Sequence, residues 1–193
     1  MNRNRVGVAV IALMLSACTM NYRLDGNTYS GEEQFQAGAD ALYSSTRQQI
    51  VSTMRVSEPI SKKRLTIGLP TIDTIKDGFI MPNILQVTPA QLMQRDALSR
   101  AARKEYEMFA ATVKDLGIYQ DVRTVDTTGG HIQPSSTDSV LYMYVLPQSN
   151  AFQWYINGGK TRLQTVNIDR GQPKFLGRAT SIINSIKGYA LTD

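Results

Sequence analysis

The stretch from Thr88 to Gly117 constrains this chain most. Thr88-Pro89-Ala90-Gln91 is a capping box, with a hydroxyl at the cap, proline where a helix needs no amide donor, and glutamine three residues on to return the hydrogen bond. Leu98, Ala102, Tyr106, Phe109, Val113 and Leu116 then recur at spacings of four and three, which draws one apolar stripe along a helix, and Gly117 supplies the residue that ends it. A helix this long with one apolar face has to lie on another layer, and the segments around it supply strands.

Leu65-Thr66-Ile67-Gly68-Leu69 reads as a short strand stopped by Pro70, introduced by the basic run Lys62-Lys63-Arg64. Ile118 to Asp126 reads as a second strand, and residues 129 to 137 as a loop rich in glycine and serine. Val140 to Leu146 is apolar at both alternating sets of positions, the pattern of a central strand covered on both faces. Ala151 to Ile156 and Thr161 to Ile168 flank Asn157-Gly158-Gly159-Lys160, a hairpin signal. Ser30-Gly31-Glu32-Glu33 reads as a second capping box, opening a helix to about Met54 with Phe35, Ala39, Leu42, Ile50 and Met54 inward; Phe175, Leu176, Ala179, Ile182, Ile183 and Ile186 form one face of a last helix. Residues 70 to 87 show no clear period. The expected class is α+β, a mostly antiparallel sheet of about five strands packed against two to three helices.

The amino-terminal segment concerns address. Arg3 and Arg5 precede twelve mostly apolar residues, Val6 to Ala17, which is the anatomy of a cleaved leader and too short for a lasting span of a bilayer. The run ends Leu15-Ser16-Ala17-Cys18, and this resembles the lipobox of bacterial lipoproteins over residues 1 to 18. The resemblance implies that the Cys18 sulfur carries diacylglycerol, that cleavage falls before it, and that the new amino terminus is acylated too, with palmitate as the typical acid. Cys18 is the single cysteine, so it has no disulfide partner within the chain. Thr19 stands where aspartate commonly retains such lipoproteins in the inner membrane, which favours the outer membrane, facing the periplasm. The expected organisation is a cleaved leader over 1–17, a lipidated tether over 18–29, and one periplasmic α+β domain over 30–193.

Several chemistries fail on the residues present. Gly159-Lys160-Thr161 matches the tail of a phosphate-binding loop, but Trp154 stands where that loop needs its first glycine, and strands flank it on both sides. His131 is the only histidine, which rules out a two-histidine metal site, and no Gly-x-Ser-x-Gly elbow accompanies it. Asp73, Asp77, Asp121, Asp126, Asp138 and Asp169 lie near expected strand ends or turns, where carboxylates are ordinarily solvated or capping. Arg95, Arg100, Arg103 and Lys104 make a basic strip broken by Asp96, Glu105 and Glu107, the look of a mixed solvent face. Phe152, Trp154 and Tyr155 fit cross-strand packing better than an exposed hot spot.

No catalytic residue, metal ligand or cofactor is therefore expected, and the chain is not expected to be an enzyme. Nor is a nucleic-acid partner: of the 21 Lys and Arg two fall in the leader, leaving 19 against 16 Asp and Glu, and they are spread along the chain. The order of elements is similar to that of small α/β domains in envelope lipoproteins such as the curli export lipoprotein and the lipoprotein activators of penicillin-binding proteins. That likeness concerns fold and leaves function to the site. The expected role is an accessory or assembly component of a cell-envelope complex, bound to membrane lipid through acylated Cys18 and to an envelope protein; the competing role is binding or transport of a lipid or small molecule.

Overall fold

A computed structural model describes residues 20–78, 87–128, 138–146, 151–156, 161–167 and 175–192. Cys18 and the leader, His131, Asp169 and the turn 157–160 lie outside the described residues. In chain order the elements are β1 (Asn21–Leu24), β2 (Asn27–Ser30), α1 (Glu32–Met54), β3 (Ser61–Pro70), α2 (Ile72–Gly78), α3 (Pro89–Leu116), β4 (Tyr119–Thr127), β5 (Asp138–Leu146), β6 (Ala151–Ile156), β7 (Thr161–Asn167) and α4 (Phe175–Ala190).

The main sheet has the order β4-β3-β5-β6-β7. The class is α+β as the sequence indicates, but the expectation of a mostly antiparallel sheet is corrected: β3 pairs parallel with both β4 and β5, and only β5-β6 and β6-β7 are antiparallel. The cause is the long helix. After β3 the chain returns along α3, about 42 Å at 1.5 Å per residue, so β4 starts again at the end where β3 started and must run the same way. There are four helices among the described residues where two to three were expected, the extra one being the seven-residue α2.

The box at Thr88 is present as read: Gln91 N–H donates to the Thr88 hydroxyl and the Gln91 side chain accepts from Thr88 N–H, while Gly117 takes the left-handed conformation at φ 68°. The box at Ser30 is not. Ser30 is drawn into β2, and Gly31, at φ 85°, turns the chain from strand into helix with no side-chain cap. On α1 the buried stripe is Phe35, Ala39, Tyr43, Thr46 and Ile50; Leu42 and Met54 are only partly covered. β5 sits in the middle of the sheet, with Ser139, Val140 and Leu141 consecutively buried, so both its faces are covered there.

The expected tether is corrected most. Residues 21–30 pair as an antiparallel hairpin, Tyr22 opposite Tyr29, and Tyr22 is 1% exposed in the same core as the helices and sheet. Tyr22 stacks on Phe35 at 4.8 Å between ring centres, with Tyr29 edge-on to Phe35 at 6.2 Å. Gly38 permits this, because a Cβ there would stand 2.2 Å from the Tyr29 ring. The hairpin turn holds the far end of the chain too: Asp25, at φ 50°, accepts a hydrogen bond from Phe175 N–H at 2.7 Å and so caps α4. Asp25→Ala is expected to cost about 1–2 kcal/mol, with Asp25→Asn, which keeps the acceptor and tolerates the positive φ, close to wild type in a urea titration.

Candidate functional site

α1 and α3 lie side by side and run in the same direction. Their register is fixed by three ion pairs between them: Glu32 with Arg100, Asp40 with Lys104 at 2.8 Å, and Arg47 with Asp115 at 2.5 Å. All six side chains are between a third and three fifths exposed, so water screens each pair and its contribution is about 0–1 kcal/mol. They set alignment more than stability. Gln36 adds a half-buried strut, donating to the Ala97 carbonyl at 2.9 Å.

Between the last two pairs the helices leave an open groove of about 560 Å³. Tyr43, Val51 and Met108 make its apolar floor, Ser44, Gln48 and Ser52 one wall, and Asp40, Lys104, Arg47 and Asp115 stand at its ends. It arises because α1 turns its buried stripe partly toward α4, where Tyr43 meets Phe175 at 5.2 Å, and so leaves the outer side of the seam shallow. Below the seam lies Tyr106, 2% exposed; burial, followed by the charge of Glu105 and then Tyr43, pushes its phenol well above the ordinary value of 10.0. Burial likewise raises Tyr22, with Glu32 adding to the effect and Arg100 opposing it.

These two phenols give the protein an alkaline limit. Each is harder to ionise folded than unfolded, so its contribution is complete below about pH 10 and is lost as pH climbs through the folded value. Unfolding midpoints are expected to hold steady from neutrality to about pH 9 and to fall beyond 10, less steeply in Tyr106→Phe. The Tyr22 hydroxyl finds no hydrogen-bond partner among the described residues. Tyr22→Phe removes a buried polar atom and keeps the ring stack; equal or higher stability at pH 7, by up to about 1 kcal/mol, is the expected result.

Three of the six carboxylates singled out from sequence are held by arginines. Asp121 pairs with Arg64 at 2.7 Å, Asp126 with Arg103 at 2.8 Å, and Asp138 with Arg123 at 3.4 Å. Asp73 and Asp77 both fall on α2. Among the described residues no group of three His, Cys, Asp or Glu is placed to hold a metal ion. The basic strip is divided among separate partners: Arg100 to Glu32, Lys104 to Asp40, Arg103 to Glu107 and Asp126, with Arg95 a loose 3.9 Å from Asp96. Phe152, Trp154 and Tyr155 lie in β6, an interior strand. The sequence reading missed the groove, whose sides come from two helices more than fifty positions apart and carry no local signal. Its polar groups can accept and donate hydrogen bonds around an apolar centre.

No family model, curated protein or solved structure matches this chain.

Proposed function

We propose that this chain is a membrane-anchored lipoprotein of the cell envelope that acts as an accessory or assembly component through protein contacts, held by acylated Cys18 on the periplasmic side of the outer membrane. The observation that carries the protein-contact part is the α1–α3 groove. Its apolar floor suits the apolar face of a partner's helix, and the paired charges at its ends offer polar rims, as in helix-in-groove recognition. A second contact of the same kind is offered by β4, the edge strand beside β3, which has charged residues along it that discourage indiscriminate pairing.

A carrier of lipid or small molecules is the competing reading, favoured by the groove's volume, which falls in the range of ligand sites. Such sites cover most of their ligand, and this groove is open along one side. A photo-crosslinking residue at Ser44 or Gln48, in the full-length lipidated protein in its own cells, separates the two. Discrete protein adducts absent when the crosslinker stands at Asn184, exposed on α4 away from the groove, support assembly; adducts to lipid alone at Ser44 would replace it with the carrier.

A further inference from the structure

Of the four large apolar side chains exposed among the described residues, two stand at the tip of α3: Leu92 is 40% exposed and Met93 55%. Ile72 lies further back, just after Pro70, whose carbonyl is held by Arg103, and Leu191 lies just beyond α4, whose Lys187 reaches the Met54 carbonyl at the other end of α1. The end that carries the two is also where the chain enters. The Met20 carbonyl accepts a hydrogen bond from Gly31 N–H at 2.8 Å, which fixes Met20 at the start of α1.

The ion pairs set the level of that end. Glu32, the first residue of α1, meets Arg100, and Gln36 one turn on meets Ala97, whereas α3 begins at Pro89; α3 therefore overhangs the start of α1 by four to eleven residues, about 6–16 Å at 1.5 Å per residue. Residues 88 to 94 of the overhang are all exposed, and Thr88 to Gln94 contains no charged side chain. The capping box keeps this tip helical. One turn behind it stand cations, Arg95 and Lys76, the latter paired with Asp96 at 3.2 Å.

Only Thr19 separates Met20 from Cys18, a reach of about 7 Å between their Cα atoms. With the expected tether folded into the hairpin, no slack is left to hold the body clear of an acyl anchor. An overhang of about 6–16 Å then meets the lipid surface when that end faces it. We propose that the tip of α3, with Leu92 and Met93, rests in the boundary between headgroups and acyl chains of the bilayer that holds Cys18. The inference rests on the lipoprotein reading above. An uncharged apolar tip suits that boundary, where side chains bury about 5–10 Å deep, and the cations behind it sit at headgroup level.

The experiment uses the full-length protein purified from membranes, in which the acylated Cys18 leaves an introduced Met93→Cys as the one free thiol. It is labelled with an environment-sensitive nitrobenzoxadiazole and reconstituted in phosphatidylethanolamine/phosphatidylglycerol vesicles with and without spin-labelled acyl chains; Leu191→Cys serves as the opposite-end control. Expected are a blue-shifted emission at position 93 and quenching there several-fold stronger than at 191. Equal quenching at the two positions overturns the proposal, as does a blue shift that appears only when envelope proteins are added. Intact mass of the same sample separates the two failures: an unmodified Cys18 takes down the lipoprotein reading itself, while an acylated Cys18 with an unquenched tip takes down only the docking of α3.

Discussion

Phe35→Ala is expected to lower stability by about 3–5 kcal/mol, the cost of emptying a buried aromatic site that cannot collapse. The ring is 1% exposed and carries both the Tyr22 stack and the edge contact of Tyr29, so its loss removes the aromatic part of the joint between the amino-terminal hairpin and α1. A two-stranded hairpin alone is marginal in water. Residues 21–30 should therefore detach before the rest unfolds, visible as early trypsin cleavage after Arg23 and as a lower urea midpoint. A loss under 1 kcal/mol, or cleavage no faster than wild type, would contradict the latch. Tyr22→Phe provides the contrast, because the ring and not its hydroxyl makes the joint. Detachment also changes reach: ten freed residues extend up to about 35 Å, turning a body held against its anchor into one on a leash.

Arg103→Ala is expected to cost about 2–3 kcal/mol, at the upper range for hydrogen bonds to a charged group. Arg103 donates from Nη1 to the Pro70 carbonyl, from Nη2 to Asp126 and from Nε to Glu107, each at 2.8 Å, and its side chain is only 17% exposed. It ties α3 to the ends of β3 and β4 together. Burial opposes its charge, but the hydrogen bonds it donates to Glu107 and Asp126 and their charges more than offset that, so the guanidinium is held more firmly protonated than usual. Asp126 and Glu107 are well exposed, and their ion pairs alone contribute little. Most of the loss comes from the Pro70 carbonyl and the buried stem. Arg103→Lys keeps the charge without the planar fork and should recover less than half of the loss. Amide exchange should quicken at the ends of β3 and β4 in both variants; unchanged exchange with a lowered thermal midpoint would place the effect elsewhere.

The parts of the fold legible in the sequence are those decided within one or two turns of chain. The Thr88 box, the stop at Gly117 and the inward face of α4 each depend on neighbours along the helix. What was not legible depends on partners far away. The segment around Tyr22 looks like a polar tether because Tyr22 alone of its residues is fully buried, with Met20, Leu24 and Tyr29 only partly covered against the core, and Tyr22 is covered through its stack on Phe35. Ser30 and Glu33 satisfy the pattern of a capping box, yet Ser30 is more useful to the hairpin, and Gly31 makes the turn. α2 is too short to show a period and buries Ile75 alone among its large apolar residues. Direction in the sheet follows from where α3 delivers the chain, and the groove from pairs such as Arg47 with Asp115, 68 positions apart.

The measurement that tests the central claim most directly is an in vivo crosslinking pull-down of the lipidated protein beside Cys18→Ala, read by mass spectrometry. A membrane-anchored assembly component gives a small set of envelope proteins that disappear in Cys18→Ala. Recovery of lipid or a small molecule without any protein partner, or of the same proteins with and without the cysteine, would contradict it.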